Sequence, residues 1–281
     1  MISAFIDSFD LVDWSNPINR SHPLARGLIG WWLVVPNRMG WGTTTWRDLC
    51  GSFNGTLTNM SASSDWVGQG NGSLDLDGTN DYVKVPFSSK FDRLTTLTAL
   101  CHCYLTASSG NNEGILSKWN TTDEDFILWG GNTDSNISFG ADSSATTVWS
   151  GGWSTLQDSK WHTLGFTRNG QTVNIYADGV SKATATNAGN QPGANTTDQA
   201  INFGSYADDN FSGAAPIRFK SVSLWSRTLS SAEVASHNRE TQQGYPGLLN
   251  RIPLPLAMME QAAGGTILPM FNHYQCSQQA D

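Results

Sequence analysis

The sequence predicts an all-β protein whose strands form a two-sheet antiparallel sandwich. The segment KWHTLGFTRNGQTVNIYADG (160–179) holds two alternating runs joined by Asn169-Gly170, a dipeptide that tolerates the positive φ angles of a tight hairpin. Many other short alternating runs are separated by clusters of Gly, Asn, Asp and Ser, which is typical of sandwiches and jelly rolls. Only one clear helix signal accompanies them, so helices cannot form a layer of the fold.

The hairpin also predicts which side chains share a face. A two-residue loop at Asn169-Gly170 gives an apolar face and a mixed face, with the pairs Phe166–Val173 and Leu164–Ile175 on the first and Thr167–Thr172 and Thr163–Tyr176 on the second. We therefore expect a sheet that is covered on one side only, and a mixed face without a catalytic group.

The remaining elements follow from the same alternation. The candidate strands are, in order, Gly27–Leu33, Ser73–Leu76, Tyr82–Pro86, Thr96–Leu105, Gly114–Lys118, Phe126–Trp129, Ile137–Gly140, Trp161–Thr167, Thr172–Ala177, Ala200–Phe203 and Ile217–Trp225. The candidate helix runs from Leu229 to Arg239, because Ser230 followed three residues later by Glu233 forms a capping box. Trp31, Trp161 and Trp225 have apolar neighbours in their strands and are predicted to fill the core.

Three zones are visible along the chain. Residues 1–26 read as an extended N-terminal arm, residues 27–240 as the sandwich domain, and residues 241–281 as a Pro-rich apolar tail. Because the tail is apolar, we expect it to lie in a groove, either on its own domain or on a neighbouring chain. We also expect the protein to form oligomers through its two ends.

Composition excludes several classes of function. The net charge is -8, 14% of the residues are charged and no basic cluster occurs, which excludes a nucleic-acid partner. The sequence also lacks an apolar run of about 18 residues, so it predicts no membrane span. The start of the sequence lacks the pattern of a signal peptide. Cys101 and Cys103 lie two apart in a predicted strand with His102 on the opposite face, so we expect core packing of free thiols in a reducing compartment.

Several segments, in order, resemble the laminin-G-like branch of the concanavalin A-like jelly rolls. They are GLIGWW (27–32), SLDLDGTNDYVKVP (73–86), GILSKW (114–119), the hairpin at 160–179, and FSGAAPIRFKSVSLWSRTLSSAEV (211–234). The resemblance implies a concanavalin A-like jelly-roll sandwich with irregular terminal arms and one short helix. It also implies that glycans or proteins bind on a concave face or on rim loops.

The same resemblance implies that calcium can bind near a rim loop. Asp77, Asn80 and Asp81 are then the candidate ligands, since they offer hard oxygen atoms on a tight turn, and the alternative is that they only cap that turn. The chain departs from the family at Lys220, where an acidic residue is common, and a lysine there would repel a cation. We therefore predict no obligatory cofactor, with calcium as the one candidate.

Candidate ligand-binding residues are tryptophans that glycines accompany. Trp129, Trp149 and Trp153 come from one Gly-rich region, and Trp41 and Trp46 from a second. Exposed indole rings stack on sugar rings, so these residues predict a glycan-binding surface, and anchoring of loops is the alternative.

A glycosidase would need two carboxylates about 5 Å apart on one strand, and no Glu-x-Asp-x-x-Glu pattern occurs. The acidic cluster that ends at Asp125 reads as a solvated loop. The chain is therefore predicted not to be an enzyme.

The leading hypothesis is a non-enzymatic structural and binding module. The segment HPLARGL (22–28) before the first strand resembles that of phage-encoded virion proteins, which implies a decoration, spike or tail-associated protein made in the host cytoplasm and able to bind host glycans. The alternatives are a bacterial surface or secreted carbohydrate-binding lectin domain and, third, a glycoside hydrolase.

Overall fold

A computed structural model describes residues 11–68, 72–106, 113–119, 124–131, 135–141, 145–186, 199–206 and 213–251. In these ranges the strands are β1 (Leu28–Leu33), β2 (Thr45–Trp46), β3 (Gly55–Thr58), β4 (Trp66–Val67), β5 (Ser73–Asp77), β6 (Tyr82–Val85), β7 (Thr96–Leu105), β8 (Glu113–Trp119), β9 (Glu124–Gly130), β10 (Ile137–Ala141), β11 (Ala145–Trp149), β12 (His162–Asn169), β13 (Thr172–Ala177), β14 (Val180–Ala185), β15 (Ile201–Phe203) and β16 (Pro216–Trp225). Every predicted strand is present within two residues of its predicted bounds.

The strands form two eight-stranded sheets, which we call sheet A and sheet B. Sheet A has the order β14-β13-β12-β7-β16-β5-β4, with β1 paired to the second half of β16. Sheet B has the order β11-β10-β9-β8-β15-β6-β3-β2. Their inner faces enclose one hydrophobic core, to which Phe166, Phe203 and Phe219 contribute fully buried rings. The predicted two-sheet antiparallel sandwich is confirmed.

Two helices lie outside the sheets. Helix α1 (Gly152–Leu156) is a single turn, and α2 (Ser231–Gln242) begins with the predicted capping box, in which the side chain of Ser230 accepts from Glu233 N and that of Glu233 accepts from Ser230 N. A 3-10 turn covers Pro23–Ala25. Neither helix of the described chain has the length and hydropathy that a membrane-spanning helix needs.

The central hairpin forms, but its register differs from the prediction. Asn169 lies opposite Thr172, so the turn residues are Gly170 and Gln171, and Gly170 takes a φ of 58° as at the first central position of a type II′ turn. Phe166 therefore lies opposite Ile175 instead of Val173. A shift of two residues keeps every side chain on its predicted face, because the side-chain period of a strand is two.

The outer face of sheet A is covered over part of its area, which corrects the expectation of a sheet covered on one side only. Tyr176 bonds Ser231 at the start of α2 (3.1 Å), and the hydroxyl of Thr163 lies 3.1 Å from that of Thr241. The predicted mixed face is thus largely buried under α2, since a strand can be covered on both faces when a helix packs over the sheet.

The tail begins by packing on its own domain. Tyr245 is buried against Trp31, with ring centroids 4.9 Å apart, and its hydroxyl is bonded to that of Ser221. Leu248 is fully buried as well. Residues 252–281 and 1–10 lie outside the described residues.

The main compact unit extends from Ile18 to Leu248. Its two ends are neighbours, because Asn19 N donates to the carbonyl oxygen of Leu248 at 2.9 Å. The described residues beyond them, 11–17 and 249–251, form a separate small unit in which Asp13 N donates to Asn250 O at 2.9 Å.

A buried carboxylate fastens the loop between β2 and β3 to β1. Asp48 accepts backbone N–H groups from Trp31 and Cys50 on one oxygen, and from Ser52 and Phe53 on the other, at 2.8 to 3.2 Å. Because one carboxylate accepts from four backbone N–H groups, most substitutions of Asp48 would leave some of these N–H groups without an acceptor.

The thiols behave as the strand alternation predicts. Cys101 and Cys103 are buried on the core face of β7, and His102 lies on the opposite face. Both are free, as is Cys50.

Candidate functional site

Three half-buried aromatic rings meet on the outer face of sheet B. Tyr206, just after β15, lies between two tryptophans, with ring centroids 6.0 Å from Trp119 on β8 and 6.1 Å from Trp129 on β9. Both pairs are edge-to-face, the arrangement that aromatic quadrupoles favour. The three residues, which we call the aromatic triad, combine apolar ring surface with N–H and O–H groups in one place.

Trp129 is held on the sheet by a glycine beneath it. Leu128 faces the core, so alternation turns Trp129 outward, where Gly140 on the adjacent strand β10 offers no side chain. A Cβ atom at Gly140 would lie 2.9 Å from a ring carbon of Trp129, closer than real Cβ contacts allow. The missing side chain therefore makes room for the indole.

Tyr206 is positioned by the strand next to β15. A Cβ atom at Gly114 would lie 2.2 Å from the backbone of Ser205, so only glycine lets this segment cross β8 closely. The hydroxyl of Ser117 donates to the carbonyl oxygen of Ser205 at 2.9 Å. These two contacts fix the backbone from which the Tyr206 ring projects.

Trp119 is oriented by the side-chain alternation at the end of β8. The pairing of β8 with β9 shifts between Lys118 and Trp119. Lys118 turns inward and is fully buried, with its ammonium 2.8 Å from Asp92 and also paired with Asp125. Because Lys118 faces inward, the alternation of β8 directs Trp119 to the outer face, and the extra residue of the irregularity is Asp125 on β9.

A buried amide without a partner belongs to the same face. Ile201 and Phe203 face the core, so Asn202 points outward between Ser117 and Lys84 on the flanking strands. The whole residue is 0% exposed, and neither its Oδ1 nor its Nδ2 atom has a hydrogen-bond partner among the described residues. An unpaired buried amide costs about 1–3 kcal/mol.

The structure separates the tryptophans that the sequence predicted to act together. Trp46 and Trp153 are 0% exposed, so their rings cannot stack on a ligand, and this part of the prediction is corrected. Trp149 is half-buried at the edge of the core beneath Gly152, and Trp41 packs against Trp66 with centroids 5.6 Å apart. Glycines beside these rings allow close packing, not exposure.

Only Trp129 of the predicted set joins the aromatic triad. The sequence patterns did not predict Trp119, Tyr206 or Asn202 as site residues. For Trp119 a signal was available, because it lies two residues after Ser117, directly beyond the predicted strand 114–118, and therefore on the same face. The outward direction of Tyr206 depends on a loop and had no signal in the sequence.

The candidate calcium ligands act as turn caps. Asp77 accepts from Thr79 N at 2.7 Å and from Asn80 N at 3.4 Å, and Asp81 accepts from Asp77 N at 3.2 Å. Burial, together with nearby carboxylates, raises the pKa of Asp81 to about 6. Among the residues that the structure covers, no group of three or more His, Cys, Asp or Glu side chains could hold a metal ion.

Two further expectations need correction. Asp125 is no solvated loop residue: it is buried in the ion pair with Lys118. Trp161 is half-buried on the outer face of sheet A instead of filling the core, and the ammonium of Lys220 lies over its ring. Lys220 is four residues along β16 from Pro216, the partner of Asp77, so it does not govern the cation affinity of that turn.

Comparison with known proteins agrees with the fold. Residues 77–235, more than half of the chain, match the model of the concanavalin A-like lectin/glucanases superfamily. A sialidase of Trypanosoma rangeli, solved in complex with sialic acid, is similar with a TM-score of 0.57 and 13% identity over 77% of this chain and 33% of the sialidase chain. The binding domain of botulinum neurotoxin serotype D is similar with a TM-score of 0.56 and 15% identity, over 76% of this chain and 51% of that one. No curated protein sequence matches the chain.

The chain thus spans about a third of the sialidases and about half of the toxin domain that it resembles. These neighbours, enzymes and a toxin's binding domain, contradict the hypothesis that the chain is a non-enzymatic surface protein of a phage virion. The predicted family, in contrast, is confirmed by the match over residues 77–235. The chain belongs to the concanavalin A-like lectin/glucanase superfamily.

Proposed function

We propose that the chain is a carbohydrate-binding module whose ligand lies on the outer face of sheet B, against the aromatic triad. The observation that carries this proposal is the meeting of Trp119, Tyr206 and Trp129, all half-buried, on the outer face of sheet B. Sugar rings bind by stacking their C–H faces on aromatic rings, and this face brings three such rings together.

The chemistry of the face favours a neutral saccharide. The Asn202 amide on this side of the sheet is neutral and fully buried, and the hydroxyl of Ser117 is committed to Ser205 O. Apart from Lys84, which already has an interaction of its own, none of these groups is an acid or a base at neutral pH. We expect an oligosaccharide to be bound and released unchanged, and the appearance of shortened products would contradict this.

The experiment begins with a panel of neutral oligosaccharides, followed by calorimetric titration of those that bind. Trp129→Ala and Trp119→Ala each remove one ring, and we expect each to weaken binding by about tenfold or more. Trp41→Ala is the matched control, because it removes a half-buried tryptophan that packs against Trp66 and is not part of the aromatic triad. Circular dichroism and melting temperature confirm that each variant is folded.

The proposal fails if no neutral oligosaccharide binds. It also fails if one binds and neither Trp129→Ala nor Trp119→Ala weakens that binding. Equal weakening by Trp41→Ala would show that the loss is not specific to the aromatic triad.

A further inference from the structure

A lysine stands at a β-bulge on the outer face of sheet A. The pairing of β16 with β7 shifts between Phe219 and Ser221, so Lys220 is the extra residue that has no partner on β7. Its side chain lies on the outer face, with the ammonium 4.3 Å from the centre of the Trp161 ring. Bulges re-aim side chains, and this one sends a charge toward the residue that precedes β12.

Aromatic and polar rings surround this ammonium. The indole of Trp161 contacts His102 and Tyr104 of β7, with centroids 5.5 and 5.8 Å apart. Next along β16, the guanidinium of Arg218 lies 5.7 Å from the centre of the Tyr104 ring and pairs with Asp75. We call the first four residues, Lys220, Trp161, His102 and Tyr104, the bulge cluster.

The charge of Lys220 has no counter-ion. No carboxylate lies within 4 Å of its ammonium in the part of the chain that the structure describes, whereas Lys118 and Lys160 both pair with aspartates. Burial lowers the pKa of Lys220, because the charged form loses solvation that no carboxylate replaces. Within the described residues, Lys220 is thus a half-buried cation whose ammonium lies over a ring face, in a chain of net charge -8.

We infer that the bulge cluster binds the carboxylate of an acidic saccharide, with the ammonium of Lys220 as the anchor and the rings of Trp161 and Tyr104 as the surface beside it. A carboxylate would supply the missing counter-charge. The ring nitrogens of His102 have no hydrogen-bond partner among the described residues, which leaves them free for sugar hydroxyls. This site is on the opposite sheet from the aromatic triad and stands on separate observations.

Three probes test the inference by calorimetric titration. Hyaluronan tetrasaccharide supplies carboxylates on sugar rings, chitotetraose is its neutral counterpart, and sodium acetate supplies a carboxylate without a sugar. We expect the hyaluronan tetrasaccharide to bind about tenfold or more tightly than the other two. Raising the NaCl concentration from about 50 mM to about 500 mM should weaken the binding of the hyaluronan tetrasaccharide, because salt screens a half-exposed ion pair.

Lys220→Gln removes the charge and keeps most of the stem. We expect it to weaken hyaluronan binding by about tenfold or more, with a melting temperature close to that of the wild type. Lys182→Gln is the matched control, since the ammonium of Lys182 also lies over a tryptophan, 5.5 Å from the Trp149 ring. It should leave binding unchanged.

Measurement in the Trp129→Ala background separates this inference from the proposed function. Hyaluronan binding that persists there and is lost with Lys220→Gln supports the bulge cluster. Equal affinity for hyaluronan and chitotetraose, competition by acetate at the same concentration, or unchanged binding in Lys220→Gln would each overturn it.

Discussion

Replacing His237 should change how the stability of the domain depends on pH. This side chain of α2 is fully buried under Trp225, with centroids 5.3 Å apart, and neither ring nitrogen has a hydrogen-bond partner among the described residues. Burial, and to a lesser extent the neighbouring His102, lowers the pKa of His237 to about 3. The perturbation is His237→Phe, which keeps a ring and removes both nitrogens.

The magnitude follows from proton linkage. In the unfolded chain His237 binds a proton below about pH 6.5, whereas in the folded chain it binds one only below about pH 3. The free energy of unfolding therefore falls as the pH falls through this window. Between pH 6 and pH 4 this one group removes about 2.5 kcal/mol from the wild type. His237→Phe should abolish that loss and, by removing unpaired polar atoms, add about 1–3 kcal/mol at pH 7.

Urea denaturation followed by tryptophan fluorescence at pH 4, 5, 6 and 7 measures both effects. A second variant, His237→Gln, cannot titrate but keeps a buried polar group, so it should lose the pH dependence without the gain at pH 7. If the free energies of unfolding of His237→Phe and the wild type fall in parallel between pH 6 and pH 4, the reasoning is refuted.

Three other changes have defined outcomes. Asp48→Asn replaces one acceptor oxygen by a donor and leaves the part-buried N–H groups of Ser52 and Phe53 without that acceptor, so urea denaturation should show a loss of about 1–3 kcal/mol. Gly140→Ala places a Cβ atom against Trp129, so saccharide affinity should fall while the circular dichroism spectrum stays the same. Hydrogen bonds to Asp178 and to a second aspartate raise the pKa of His162, so its stabilising contribution is complete below about pH 6.5 and is lost as the pH rises through the raised pKa. The difference in melting temperature between the wild type and His162→Gln should therefore be larger at pH 6 than at pH 9.

The fold was readable from the sequence because strand alternation and turn residues are local signals. Thr96–Leu105 and Thr172–Ala177 have the predicted bounds, and the capping box at Ser230 forms as expected. The strands that escaped prediction are short or exposed. Val180–Ala185 at the edge of sheet A exposes most of its side chains, so it carries no core-facing pattern, and Trp66–Val67 is only two residues long.

The candidate site was readable only in part, because ring exposure depends on what packs over a ring. Trp153 looks like a loop residue beside glycines, yet α1 carries it into the core, where a Cβ atom at Gly130 would lie 2.1 Å from its ring. Conversely, Trp161 looks like a core residue from its apolar neighbours, yet Leu164 faces the core, so alternation puts Trp161 on the outer face with Thr163. Bulges and close approaches of two backbones come from non-local pairing, which no window of sequence contains.

The hydrogen bond from Asn19 N to Leu248 O has a consequence for how this domain can be combined with others. Because the two ends of the compact unit are one hydrogen bond apart, the unit can be inserted into a surface loop of a host protein without separating the two ends of that loop. The same closeness makes the unit a good subject for circular permutation: a short linker can join residues 18 and 248, and new ends can be opened in an exposed turn such as the one at Gly170-Gln171.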